Sequence, residues 1–172
     1  MPATAAKAPF TIRTVAPPKS VAVASDIFVA GSNGVNLTGF GRSAAAFEVA
    51  RVVLLREAAH PFHPKSARAA GPALFALPLS VGPSIRNLKV RNAPILALCA
   101  NGQPLAEHTF PSTFGLIAGL EGPGLPESLR EGTTLRIPIA PRVESLNAST
   151  ATAIALYEWN RAKVAKNRSL EG

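Results

Sequence analysis

Short apolar runs alternate with polar, glycine-containing segments along most of this chain, and that alternation predicts the elements. Val21–Ala30 (VAVASDIFVA) is a strand that ends in the turn-rich Gly31-Ser32-Asn33-Gly34. Asn36 then caps a helix on which Phe40, Ala44 and Phe47 share one face, with Gly39 and Gly41 weakening it. Arg51–Leu55 (RVVLL) is a short buried strand, so this stretch forms a right-handed βαβ unit. His60–Ala70 is a loop leading into a short helix. Phe75–Val81 reads as a strand, Ser84–Asn92 as a helix and Ile95–Ala100 as a strand that stops at the turn signal Asn101-Gly102. Phe114–Gly119 and Leu135–Ile139 are the last strands, and a helix runs from Ser145 to about Lys166. Strands alternating with helices give an α/β fold with a mostly parallel sheet and flanking helices.

Composition narrows the picture. With 172 residues, 47% apolar and 16% charged, the chain is long and apolar enough for one packed domain, placed at residues 21–168. Residues 1–20, rich in Ala, Pro and Thr with Lys7, Arg13 and Lys19, read as a flexible basic arm. Eighteen Lys and Arg against ten Asp and Glu give a net charge of +8, which favours a polyanionic partner, nucleic acid first; simple solubility is the plainer reading. The single cysteine, Cys99, lies in an apolar run and reads as a core thiol; a reducing cytoplasm fits it. No run is long enough to span a membrane as a helix, and the N-terminus lacks the continuous apolar stretch of a secretory signal.

The candidate chemistry is sparse. His60 and His63 are separated by Pro61 and have no cysteine or acidic pair beside them, so no metal site is expected. Lys65 and Arg68 make that stretch basic instead. Glu121 stands in Gly119-Leu120-Glu121-Gly122-Pro123-Gly124, where the small neighbours let a ligand approach a carboxylate closely; the plainer reading is a surface turn. The loop is neither a dinucleotide fingerprint nor a P-loop. Ser145 and Asn147 open the last helix. On residue type alone Ser145 is its N-cap and Asn147 is incidental. Polar loops after parallel strands converge on one edge of an open sheet, which makes the loops after Gly119 and Ile137 a ligand-site candidate.

Taken in order, Asn36-x5-Arg42, Gly119-x-Glu121-Gly-x-Gly124-Leu125 and Ile137-Pro138-Ile139 followed by Ser145-Leu146-Asn147 closely resemble the SpoU/TrmH family of RNA ribose 2′-O-methyltransferases, of the SPOUT class. The stretch His63–Phe75 is similar to the family's pattern as well, and the resemblance covers about residues 21–161. It implies an α/β sheet whose C-terminal part forms a trefoil knot, S-adenosylmethionine as cofactor, a homodimer and an RNA substrate, ribosomal or transfer. No metal and no membrane are implied. Carried over, the catalytic set is Asn36, Arg42, Glu121, Ser145 and Asn147. The cofactor would lie against Leu98, Ala100, Gly102, Gly119, Glu121, Gly122, Gly124, Ile137, Ile139 and Leu146. RNA would meet Arg42, Lys65 and Arg68, with the N-terminal arm and the basic tail from Arg161 to Arg168 assisting. Because a guanidinium stays protonated, Arg42 is expected to clamp the 3′ phosphate and steady a developing alkoxide, not to act as a simple base. Thr38, where relatives usually have glycine, and Leu120, where they often have a small or polar residue, bear on pocket shape and the RNA that fits. The alternative is a non-catalytic RNA-binding module that keeps the fold.

Overall fold

The computed structural model describes residues 25–29, 34–58, 78–88, 93–118 and 125–169. The N-terminal arm, His60 and His63, Lys65 and Arg68, and the whole 119–124 loop lie outside the described residues. Among the described residues six parallel strands form one sheet: β1 (Ser25–Val29), β2 (Arg51–Leu54), β3 (Leu79–Val81), β4 (Ile95–Pro104), β5 (Phe114–Ala118) and β6 (Thr133–Arg136). They lie in the order β3-β2-β1-β5-β4-β6. Among the described residues the α-helices are α1 (Gly34–Ala46), a single-turn α2 (Glu127–Arg130) and α3 (Ala148–Arg168).

A parallel sheet is buried on both faces, and the strands here alternate accordingly. All five residues of β5 are buried. Phe114, Leu116 and Ala118 join Val52, Leu54, Leu96 and Leu98 beneath α1 and α3. Ile117 joins Val53, Leu55 and Ala97 on the opposite face, covered by Ile85, Leu125 and Leu129. From α1, Phe40 and Ala44 enter the first core as their spacing predicts, and α3 contributes Ala155, Leu156 and Trp159. Trp159 meets Phe114 edge-on at 5.7 Å. The two helices run side by side in the same direction. A Cβ on Gly39 of α1 would sit 2.6 Å from Ser149 Oγ near the start of α3, and Glu48, just past α1, lies 3.9 Å from Lys163 near its end.

Five expectations are corrected. Asn36 does not cap α1, which already begins at Gly34 and holds Asn36 in its first turn. Strand β4 does not stop at Asn101-Gly102 but continues to Pro104. Leu135 pairs with both Leu98 and Gln103, so the chain bends between those two residues before resuming its parallel course beside β6. Ser84–Asn92 does not give a regular helix over its described part. It gives a 3₁₀ turn, Ile85–Asn87, after which Leu88 is extended; Ile85 alone is fully buried there. The last strand is Thr133–Arg136, not Leu135–Ile139, since Pro138 has no N–H to donate to a ladder. Helix α3 starts three residues late, because its cap is Asn147 and not Ser145. Asn147 Oδ1 accepts from the Ser149 amide at 3.0 Å, the Thr150 amide at 3.4 Å and Ser149 Oγ at 2.7 Å.

Candidate active site

A cavity of about 670 Å³ opens where three neighbouring strands end. Leu98, Cys99 and Ala100 of β4, Ala118 of β5 and Leu135 and Arg136 of β6 form its inner wall. Nearly all of the chain from Ile137 to Leu146 forms the outer wall, and Ala148 and Ala151 of α3 close one end. The place follows from the topology: all strands run the same way, so the loops after β5, β4 and β6 emerge on one edge, where ligands of open α/β sheets bind. Tightness at the centre comes from Gly102. A Cβ there would stand 2.5 Å from Leu135 N, so β4 and β6 touch backbone to backbone behind the cavity. The outer wall bends at Pro141-Arg142, with the Val143 amide donating to Ala140 O at 2.9 Å. Ile139 and Val143 are exposed on it.

Of the residues expected from sequence, Leu98, Ala100, Ile137, Ile139, Ser145 and Leu146 come together on this wall. Gly102 lies behind it, packed on β6. Asn147 is off the wall and caps α3. Arg42 is exposed on α1 and is also off the wall, and Asn36 lies in the first turn of the same helix. Glu121, Gly119, Gly122 and Gly124 lie outside the described residues. Sequence reasoning missed Arg136, Glu144, Leu125 and the two alanines of α3. A charge placed just before Ile137-Pro138 was the available signal for Arg136. Cys99 is a half-buried free thiol on the cavity wall, packed on the second core.

Among the described residues three titratable groups outside the cavity are perturbed: Arg161 is raised by its exposed hydrogen bond to Glu158, and Glu57 and His108 are structural. The Glu57 carboxylate accepts from Ser84 Oγ and from the Ile85 amide at 3.0 Å, and so ties the 3₁₀ turn to the end of β2. Burial alone would raise its pKa, but these hydrogen bonds, with Arg56 nearby, hold it below its ordinary value. His108 is pushed down by burial. Its Nδ1 lies 2.6 Å from Gln103 Nε2, while its Nε2 is buried without a partner. Among the described residues no cluster of His, Cys, Asp or Glu is arranged to hold a metal. No helix among them is long and apolar enough to cross a membrane.

Residues 27–157 match the SpoU rRNA Methylase family. The chain belongs to that family. A protein of Syntrophobacter fumaroxidans called ribosomal RNA small subunit methyltransferase G 2 is 48% identical, over 87% of this chain but only 30% of its own length. The SpoU methyltransferase AviRb of Streptomyces viridochromogenes, solved with AdoMet, has a TM-score of 0.71 at 26% identity, over 82% of this chain and 60% of that one. A protein solved for insight into the 2-OH methylation of C/U34 on tRNA gives 0.72 at 29% identity, over 82% of this chain and 96% of that one. The SpoU chain thus spans less than a third of the first relative's length and nearly all of the last one's. The parallel sheet and flanking helices are the architecture of these neighbours. The family's methyl donor is S-adenosylmethionine. The cavity fits that group. Its volume is in the range for small-molecule sites, and a wall of apolar side chains interspersed with polar atoms, with the Arg136 guanidinium and the Glu144 carboxylate among the described residues, suits a polar ligand with charges of both signs.

Proposed function

We propose that this SpoU-family chain transfers a methyl group from S-adenosylmethionine to a ribose 2′-hydroxyl of structured RNA, ribosomal or transfer. The observation that carries the reading is the cavity at the ends of β4, β5 and β6, walled by the Ile137–Leu146 segment with Ser145 on its rim. The net charge of +8 supports a polyanionic substrate. The 2′-hydroxyl is supported by the relative connected with 2-OH methylation on tRNA, whose length this chain nearly matches. The tight β4–β6 contact at Gly102, followed by the Ile137–Leu146 wall and the return of the chain as α3, supports a trefoil knot in the C-terminal part.

The bound cofactor supplies an electrophilic methyl on sulfur. The chain's residues must orient a weak nucleophile in line with it and ease the loss of its proton. Ser145, exposed on the rim, would position the ribose. Arg42 would clamp the 3′ phosphate and stabilise the developing alkoxide. Asn36 and Glu121 would hold Arg42 and the ribose in place, and Asn147 fixes Ser145 indirectly by capping the helix that follows it. That Arg42 is exposed and off its own chain's cavity wall supports a site completed by a second copy. Exposed Tyr157 and Val164 on α3 offer apolar surface for that homodimer.

Incubation of the protein with RNA and labelled donor, followed by mapping of ribose 2′-O-methyl positions, tests this. A discrete 2′-O-methyl site is expected, with Arg42→Ala lowering the rate about a hundredfold or more while donor affinity is unchanged. Methylation confined to bases, or full activity of Arg42→Ala, would overturn the reading.

A further inference from the structure

The cavity wall mixes apolar side chains with polar atoms, and among the described residues its charged side chains are Arg136 and Glu144. Glu144 is exposed and faces water. Arg136 is half-buried at the end of β6, and among the described residues no carboxylate pairs with it. A guanidinium stays charged at any physiological pH, and holding it partly out of water without a counter-ion is unfavourable. Such a group on a ligand wall is suited to an anion.

S-adenosylmethionine carries one anionic group, the α-carboxylate, together with an ammonium and a sulfonium; its adenosine is neutral. We propose that Arg136 binds the α-carboxylate of S-adenosylmethionine, in the forked geometry a guanidinium offers, and so fixes which end of the cavity receives the amino-acid part. This rests on the cavity being the cofactor site. Arg136 is a binding and positioning residue. The carboxylate is the same in S-adenosylmethionine and in the product S-adenosylhomocysteine, so the contact holds both equally. Its loss raises the KM for the donor and leaves kcat nearly unchanged.

Calorimetric titration of wild type, Arg136→Gln and Arg136→Lys with S-adenosylmethionine, S-adenosylhomocysteine and decarboxylated S-adenosylmethionine tests the assignment. Wild type should bind the decarboxylated compound about tenfold to a hundredfold more weakly than the parent. Arg136→Gln should lose about that factor for both carboxylate-bearing ligands and match wild type on the decarboxylated one, which also shows that its pocket is intact. Arg136→Lys should recover part of the loss. Equal weakening of all three ligands by Arg136→Gln would make the residue merely structural and overturn the proposal. Unchanged donor affinity with weakened RNA binding would overturn it too, making Arg136 a phosphate contact. A wild-type protein that binds none of the three would overturn the cavity's assignment itself, a result distinct from either.

Discussion

Glu48 holds a backbone conformation usually left to glycine, with φ 54°. It stands just past α1, where the Val49 amide donates to Ala44 O at 2.9 Å and the Glu48 amide to Ala45 O at 3.3 Å. That pair of bonds is the glycine-type helix terminus, closed here over buried Ala44 and Val49. A Cβ in the left-handed region costs about 1 kcal/mol, and the exposed contact with Lys163 at 3.9 Å returns little. Glu48→Gly should therefore stabilise the fold by about 0.5–1 kcal/mol, read as a higher denaturant midpoint at unchanged slope. His108 and Glu57 set the acid side of stability. Both bind protons less tightly folded than unfolded, so the unfolded chain takes up more protons as the pH falls, and stability is lost. For His108 the loss begins below the ordinary imidazole range, from about pH 6.5, and for Glu57 it begins in the carboxylate range, from about pH 4.5. His108→Gln should flatten the upper limb of a stability-against-pH curve and Glu57→Gln only the lower one.

At the scale of elements, the strands were legible because a parallel sheet buried on both faces demands continuous apolar runs, and Arg51–Leu55, Ile95–Ala100 and Phe114–Gly119 are such runs. Helix α1 was legible from Phe40 and Ala44. What local pattern could not give were features decided by distant partners. Asn101-Gly102 has the chemistry of a hairpin, but after it the chain resumes parallel to β6, with Gln103 returning to the same Leu135 that pairs with Leu98. By residue type Asn147 is incidental beside Ser145, yet Asn147 is the one whose side chain reaches the free amides of α3. Most of the cavity wall was legible from the family's motifs; Arg136 was not, because the motifs begin one residue after it. The β4–β6 contact makes a direct prediction. Gly102→Ala drives a methyl into the backbone of Thr134 and Leu135, which cannot rotate away, whereas at Gly39→Ala the clash is with Ser149 Oγ, which can rotate, and with Ser149 Cβ at 2.7 Å, which yields only if α3 shifts. Gly102→Ala should cost about 1–3 kcal/mol or more and Gly39→Ala less, compared by denaturant midpoints.

For the whole molecule, the separation of Arg42 from its own chain's cavity wall yields a test of the proposed homodimer. Arg42→Ala removes the clamp, and Ala100→Trp fills the cavity. Each homodimer should be inactive. When the two variants are unfolded and refolded together, heterodimers combine an open cavity with the other copy's intact Arg42, and methyl transfer should return to about a quarter of the wild-type rate, half the dimers each having one working site. If Arg42 served its own chain, the mixture would stay inactive. The same whole-molecule view explains why α3 matters: it closes one end of the cavity at Ala148 and Ala151, packs along α1, and reaches β5 through Trp159.

Trp159 is the chain's sole tryptophan, with an indole that is 4% exposed, set against Phe114 and lying beneath the Lys163 ammonium at 5.6 Å. Its fluorescence therefore reports one event, the docking of α3 on the sheet, with no other indole to blur the signal. Emission that shifts to the red before the far-ultraviolet dichroism changes would reveal α3 lifting away while the strands persist, a motion that would open the cavity from its helical end.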